Sequence, residues 1–372
     1  MKKWPLFNGP HRLMNGLLLA TLILIAGWLA LKPGTYHYSL SDREKEMVTS
    51  LLQHPETRYF GFYSVALPAE FTPTGMVMFI QGSEMTPVET KLQYYPPFQQ
   101  FLLRYEEELR NKPVTDPRDA PYLKQVYQQE PPLKGAIFER NEESFTPDMA
   151  RVLDAWKWAE GVTFSVKMKA RDERAARYDG YWRGKSKEVS DTFRYNVPQK
   201  KAQLLAILSG LQPRKDNQRP SENKLAIQYG QFDASLLGQY EASVSYQNSK
   251  EITITLKTDN HSYIGTPLLD KDARVMETER GETLYKGKRK VNGLEISEWW
   301  NKQHDNYSSE PAINYNFELV IHEDKKGGNK LLELSMDYSI DLLHADNALT
   351  EHELVALWES ITGTIKYHPT QW

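Results

Sequence analysis

The fold class that the sequence predicts is α+β: two similar lobes, each an antiparallel sheet with few helices, after one N-terminal transmembrane helix. Three observations carry this. An uncharged run of 19 residues spans Leu13–Leu31 near the start of the chain. Several later segments alternate apolar with polar residues at the period of a half-buried strand, without the βαβ rhythm of a parallel sheet. The two halves beyond residue 57 also begin and end alike. Each opens on an aromatic strand around a glycine, RYFGFYSVALP at 58–68 and LAIQYGQF at 225–232. Each closes on a Leu-rich helix running into a Pro-terminated segment, KAQLLAILSGLQPR at 201–214 and EHELVALWESITGTIKYHP at 351–369.

Composition narrows the function classes. The 372 residues include 46 Lys and Arg, 49 Asp and Glu, and no Cys. Lack of Cys removes disulfide scaffolds, thiolate metal sites, cysteine nucleophiles and a lipoprotein acyl anchor. A mean hydropathy of −0.63 excludes a multi-span membrane protein, and a pI near 6.3 argues against nucleic acid as a partner.

The first element is the Leu13–Leu31 run, bracketed by Arg12 and Lys32. As a helix it would extend about 28 Å, enough to cross hydrocarbon. Its exit lacks a small-x-small cleavage pair, since Ile25 and Trp28 stand where small residues are needed, so it reads as an uncleaved signal anchor. Lys2, Lys3 and Arg12 precede it without an acid, which places residues 1–12 in the cytoplasm. The expected location is therefore the inner membrane, single-pass, with the bulk of the chain in the periplasm. Removing those three cations and Lys32 from the formal −3 leaves the exported part at −7. Residues 33–56 form a juxtamembrane linker, 57–214 the N-terminal lobe, 215–223 a linker and 224–372 the C-terminal lobe. The seam between the lobes, LQPRKDNQRPSEN at 211–223, has Pro, Arg, Asn and Ser without apolar periodicity.

Within the first lobe Pro96 and Pro97 start a helix with Phe98, Phe101, Leu102, Tyr105 and Leu109 on one face. VTFSVKMKA at 162–170 reads as a half-buried strand, and RVLDAWKW at 151–158 as its hairpin partner across Ala159-Glu160-Gly161. In the second lobe EITITLKT, NFELVIHE and LLELSMDYS are strands, the last two an antiparallel hairpin across 324–330. Thr350 and Glu353 form a capping box before a helix that buries Leu354, Leu357, Trp358 and Ile361.

No catalytic constellation assembles from these residues. Gly82-Ser83 lacks the flanking pattern of a nucleophile elbow, and GETLYKGK at 281–288 puts Arg289 where a phosphate loop needs a hydroxyl. His352-Glu353 and His322-Glu323-Asp324 lack a third ligand at metal spacing. No enzyme activity, cofactor or metal is expected. Residues 167–187 carry eight basic residues against three acids, which suits either an acidic partner or lipid headgroups on the one hand, or a solvated strand edge on the other. The candidate partner-binding residues are Trp299, Trp300, Asp305 and Tyr307, with Tyr181 and Trp182 facing them from the first lobe. Adjacent tryptophans on a strand point to opposite faces, so one enters the core while the other is exposed as an anchor or covered by a loop.

Taken in order, these segments resemble the immunity proteins that neutralise type VI secretion phospholipase effectors, a lipase-immunity family with paired N- and C-terminal domains. The resemblance runs over residues 57–369. Beyond the repeated lobe ends, with Leu67-Pro68 and Pro213-Arg214, it includes Arg289, Val291, Gly293 and Glu295, then Leu357, Trp358, Ile361, Ile365 and Pro369. Tyr59 and Ala226 stand where members often have Cys, Phe62 where they have Arg, and Lys366 and His368 supply the basic closing strand. The resemblance implies a non-enzyme that binds a cognate type VI phospholipase effector and blocks its access to lipid. A membrane-anchored envelope scaffold and a periplasmic hydrolase are the competing readings.

Overall fold

The computed structural model describes residues 36–81, 85–129, 134–186, 193–236, 238–260, 266–272, 281–305, 311–323 and 331–368. The expected span at Leu13–Leu31 lies outside them. Among the described residues no helix is long and apolar enough to cross a membrane.

The first half contains α1 (Asp42–Leu51), β1 (Pro55–Phe60), β2 (Tyr63–Pro68), β3 (Thr72–Gln81), β4 (Met85–Leu92), α2 (Tyr95–Asn111), β5 (Leu123–Gln129), β6 (Lys134–Asn141), β7 (Ala150–Ala159), β8 (Val162–Arg171), the short α3 (Asp179–Trp182) and α4 (Val197–Gly210). After it come β9 (Leu211–Pro213), β10 (Lys224–Ile227), β11 (Gly230–Asp233), β12 (Gln239–Gln247), β13 (Thr253–Asp259), β14 (Gly281–Val291), β15 (Leu294–Asp305), β16 (Ala312–Ile321), β17 (Leu332–Asp341), α5 (Glu351–Thr362) and β18 (Lys366–Tyr367).

Twelve strands form one sheet in the order β14-β15-β16-β17-β13-β12-β3-β4-β8-β7-β6-β5. Outward from the centre the halves read β3-β4-β8-β7-β6-β5 and β12-β13-β17-β16-β15-β14, so every strand of the second half is its first-half counterpart plus nine. The same rule relates the two small sheets, β1-β2-β18 and β10-β11-β9. It shows an exchange: the strand that closes each half pairs with the opening hairpin of the other. Lys366 and Tyr367 lie opposite Ser64 and Tyr63, as Leu211, Gln212 and Pro213 lie opposite Phe232, Gln231 and Gly230.

The halves are further joined by β3 and β12, which pair antiparallel from Gln81↔Gln239 to Thr72↔Gln247 with a bulge at Ser245/Tyr246. One continuous core runs across that join. It takes Ile137, Phe164, Leu204 and Leu208 from the first half and Val244, Phe317, Leu354 and Trp358 from the second. Residues 211–223, expected as a linker, are built into the same body. Leu211 is buried in the core, β9 pairs with β11, and the Arg214 and Asp216 side chains are buried.

Local structure follows the sequence closely where the signals are short-range. The β7–β8 turn is tighter than expected: Ala159 pairs with Val162, leaving Glu160 and Gly161 as a two-residue loop with φ of 43° and 87°. Asn292-Gly293 makes the same turn between β14 and β15, with φ of 48° and 83°. From Val162 to Val166 β8 is buried on both faces rather than half-buried. On one side Phe164 and Val166 enter the main core. On the other, α2 lays Phe101 and Tyr105 against Trp156, with ring centroids 4.6 and 5.9 Å apart. α5 carries the expected capping box and buries Leu354, Leu357, Trp358 and Ile361.

Candidate partner-binding site

Both tryptophans of the candidate stretch are buried. Trp300, on the inner face of β15, is 2% exposed and packs against Tyr36, Tyr285 and Phe317. Trp299, on the outer face, is fully covered and clusters with Leu268, Val320 and Leu331. Its indole N–H donates to Thr283 Oγ1 at 2.9 Å, and the Lys286 ammonium lies 3.6 Å from the ring centroid. Of the two outcomes expected for the outer ring, exposure as an anchor or cover by a loop, the structure shows the second. Among the described residues the cover comes from the 3-10 turn Leu268–Asp270, thirty residues upstream. Asp305 ends β15 opposite Ala312, and Tyr307 lies outside the described residues.

Tyr181 and Trp182 also part company. Tyr181 is 63% exposed; Trp182 is buried, and its indole N–H donates to the Glu173 carboxylate. The two rings meet edge to face with centroids 5.0 Å apart. Neither pair faces the other, because six strands of the sheet separate β15 from β8, the strand that leads to α3. Much of the positive charge of 167–187 is absorbed locally. Lys169 pairs with Glu142 at 2.6 Å, Arg171 with Glu173 at 2.7 Å and Arg174 with Asp172 at 2.8 Å, while Arg177 bridges Asp119 and Asp148.

Two further clusters carry family-motif residues, and both hold the fold together. Arg289 on β14 pairs with the fully buried Glu298 of β15 at 2.6 Å. The other carboxylate oxygen of Glu298 accepts the Trp358 indole N–H at 2.8 Å, and Arg289 also donates to Thr362 Oγ1. The outer hairpin is thereby pinned to α5. At the seam, Arg214 is 6% exposed and donates to the carbonyls of Tyr59, Lys215, Asp216, Gln218, Ile227 and Gly230 at 2.6–3.2 Å. Lys157, reaching from β7, donates to Leu208 O and Leu211 O at 2.7 and 2.6 Å, capping α4; burial pulls its ammonium pKa down to about 8.

The nearest approach to a catalytic pair is Ser64 Oγ and His368 Nε2, 2.8 Å apart. A general base would need a carboxylate to orient and support its imidazole. Instead burial, followed by the charges of Arg219 and Lys366, lowers the His368 pKa. Ser64 is itself buried, and among the described residues no group of His, Asp and Glu is placed to hold a metal ion. Sequence reasoning missed Arg214's role because its six acceptors come from three separate stretches of chain.

No curated protein sequence is significantly similar to the chain. Solved structures are similar to it in fold. The apo immunity protein TplEi of the type VI secretion system of Pseudomonas aeruginosa has a TM-score of 0.57 at 15% identity, over 85% of this chain and 98% of that one. The Tle4–Tli4 complex contains a chain with the same four values, and TplEi bound to the "L" peptide gives 0.54 at 14% identity over 86% and 99%. Two family models match in succession, the N-terminal domain of Tle cognate immunity protein 4 over residues 56–214 and its C-terminal domain over 218–370. Matched in both domains and over most of its length, the chain belongs to the Tle cognate immunity protein 4 family, a family of effector-binding immunity proteins and not of enzymes.

Proposed function

We propose that this protein is a periplasm-facing immunity protein that binds a type VI secreted phospholipase and blocks its access to lipid, held at the inner membrane by the Leu13–Leu31 segment. The observation that carries the reading is the unbroken succession of both immunity domains over 56–214 and 218–370. The basic flank before the apolar run and its uncleavable exit support the anchor and its orientation.

The shared sheet adds a physical reason why such a body would inhibit well. Lobes joined by paired strands and two exchanged closures meet a partner already formed, so little ordering entropy opposes binding. Protection against a lethal enzyme calls for nanomolar affinity, about −12 kcal/mol.

Co-expression with its cognate type VI phospholipase, exported to the periplasm, tests the function through survival. Cells should live with the full-length protein and die without it; death in both cases rejects the reading. A phosphatase reporter fused after Trp372 tests the topology and should be active.

A further inference from the structure

Beside the exposed Tyr181 lies a concave groove of about 620 Å³ between the end of β8, α3 and the start of α4. Tyr181 and Phe193 line it, 63% and 60% exposed, two large aromatic side chains that the fold leaves in water. Among the described residues Lys169, Arg171, Lys185 and Lys200 line it as well, with Glu142 as the one acid; Lys169 pairs with Glu142 and Arg171 with Glu173. These described lining residues sum to a formal +3, or +2 once Glu173 beside Arg171 is counted, on a chain whose formal total is −3. The Lys185 ammonium sits 3.6 Å from the centroid of the Tyr181 ring, so charge and apolar surface are presented together.

We infer that this groove is the docking site for an acidic segment of the effector, one that seats an apolar side chain against Tyr181 and Phe193 and sets carboxylates on Lys185 and Lys200. The inference rests on the effector-binding reading above and assigns it a place. Aromatic side chains with flanking charge are the composition of interface anchors, and a positive concavity steers and orients a negative partner. Three features favour a protein segment over an anionic lipid surface. The site is concave, whereas a bilayer presents a broad plane. Its aromatic rings offer side-chain contact. And Tyr36, five residues past the Leu13–Leu31 run, donates to Glu351 of α5 and packs on Trp300 of β15, with six strands between β15 and β8.

The test uses the full-length protein in lipid nanodiscs, with and without phosphatidylglycerol, and a catalytically inactive form of its cognate type VI phospholipase. The variants are Lys185→Glu with Lys200→Glu, the charge-keeping Lys185→Arg with Lys200→Arg, and Tyr181→Ala. Charge reversal should raise Kd by about 30-fold and flatten its salt dependence, Tyr181→Ala should raise it by about 10-fold, and the Arg pair should bind as the parent does. Melting temperatures should stay with the parent's throughout. Parent-like affinity of both the reversed pair and Tyr181→Ala would remove the groove from the interface while leaving the immunity reading intact. Failure of the parent protein to bind the phospholipase would end both. If phosphatidylglycerol, and not the effector, slows amide exchange in the first turns of α4, the groove is a lipid surface and the proposal is overturned.

Discussion

Arg214 and His368 occupy the same place in the two lobes: each follows its closing strand and donates its backbone N–H to the other lobe's hairpin, Arg214 to Tyr229 O at 3.0 Å and His368 to Phe62 O at 2.8 Å. The side chains then diverge. The guanidinium is buried and satisfies six carbonyls, including one from β1 and one from β10. The imidazole is half-buried, meets Ser64 Oγ at 2.8 Å and stacks obliquely near Tyr59. A permanent charge therefore organises the seam inside the chain, where two lobes and a connecting segment converge. At the far closure the imidazole makes one hydrogen bond and one ring contact, both to the opening hairpin of the first lobe. Duplicated topology fixes where a residue stands; what it must hold depends on how much other chain meets there.

The largest effect expected from this asymmetry is that of Arg214→Ala. It removes one donor from six carbonyls and leaves the buried Asp216, 3.8 Å from the guanidinium, without its cation; breaking a buried charged pair of this kind costs about 3–5 kcal/mol. Arg214→Lys should recover little, because an ammonium is a point donor that cannot span acceptors on three stretches of chain. Urea denaturation followed by tryptophan fluorescence reads both. Equal midpoints for Arg214→Ala and His368→Ala would break the comparison.

The next effect separates the two halves on the outer face of the sheet. In the first half α2 covers Trp156, with Phe101 at 4.6 Å; in the second, among the described residues, Leu268 and its turn cover Trp299. Trp299→Ala should cost about 3 kcal/mol of stability through the cavity it leaves. Effector affinity, measured where the variant remains folded, should not change. A loss of affinity at unchanged melting temperature would return Trp299 to the interface.

What the sequence made legible was local. The α2 stripe, the β7–β8 and β16–β17 hairpins and the Thr350–Glu353 cap were all readable because their partners lie within a few turns or one loop. The exchange of β9 and β18 was not: Lys366 pairs with Ser64, 302 residues away, and although Pro213 is only 17 residues from its partner Gly230, strands this short carry no periodicity that would name a partner. Burial of Trp299 was hidden as well: its cover is Leu268. Asn292-Gly293 was a readable hairpin signal that the strand pattern alone passes over. Of the candidate site, the exposure of Tyr181 was legible as an aromatic amid charge. The burial of its neighbour was not, because it depends on Glu173 folding back beneath α3.

A smaller effect is expected at the far closure. His368→Ala removes one side-chain hydrogen bond and a ring contact, worth about 1 kcal/mol. Its backbone N–H to Phe62 O remains, so β18 should stay paired with β2. Amide exchange at Tyr63 and Tyr367 checks this, since loss of protection at both would mean that the imidazole holds the strand.

The smallest effect concerns pH, and it bears on His368 alone because Arg214 stays charged at any pH at which the protein folds. Burial, then the nearby Arg219 and Lys366, lowers the folded pKa of His368 below its ordinary value. On acidification the unfolded chain therefore takes up its proton first, beginning near the ordinary histidine pKa of about 6.5. Because the unfolded state binds more protons over that interval, stability rises with pH through it and falls as pH drops from about 6.5 to the lowered folded value. The contribution is fully present above that window. His368→Gln can still bond Ser64 but cannot titrate, so its stability should run flatter than the parent's between pH 7 and 5. Parallel curves for parent and variant would show that another group sets the slope, and that the two closures differ in hydrogen bonding but not in their response to acid.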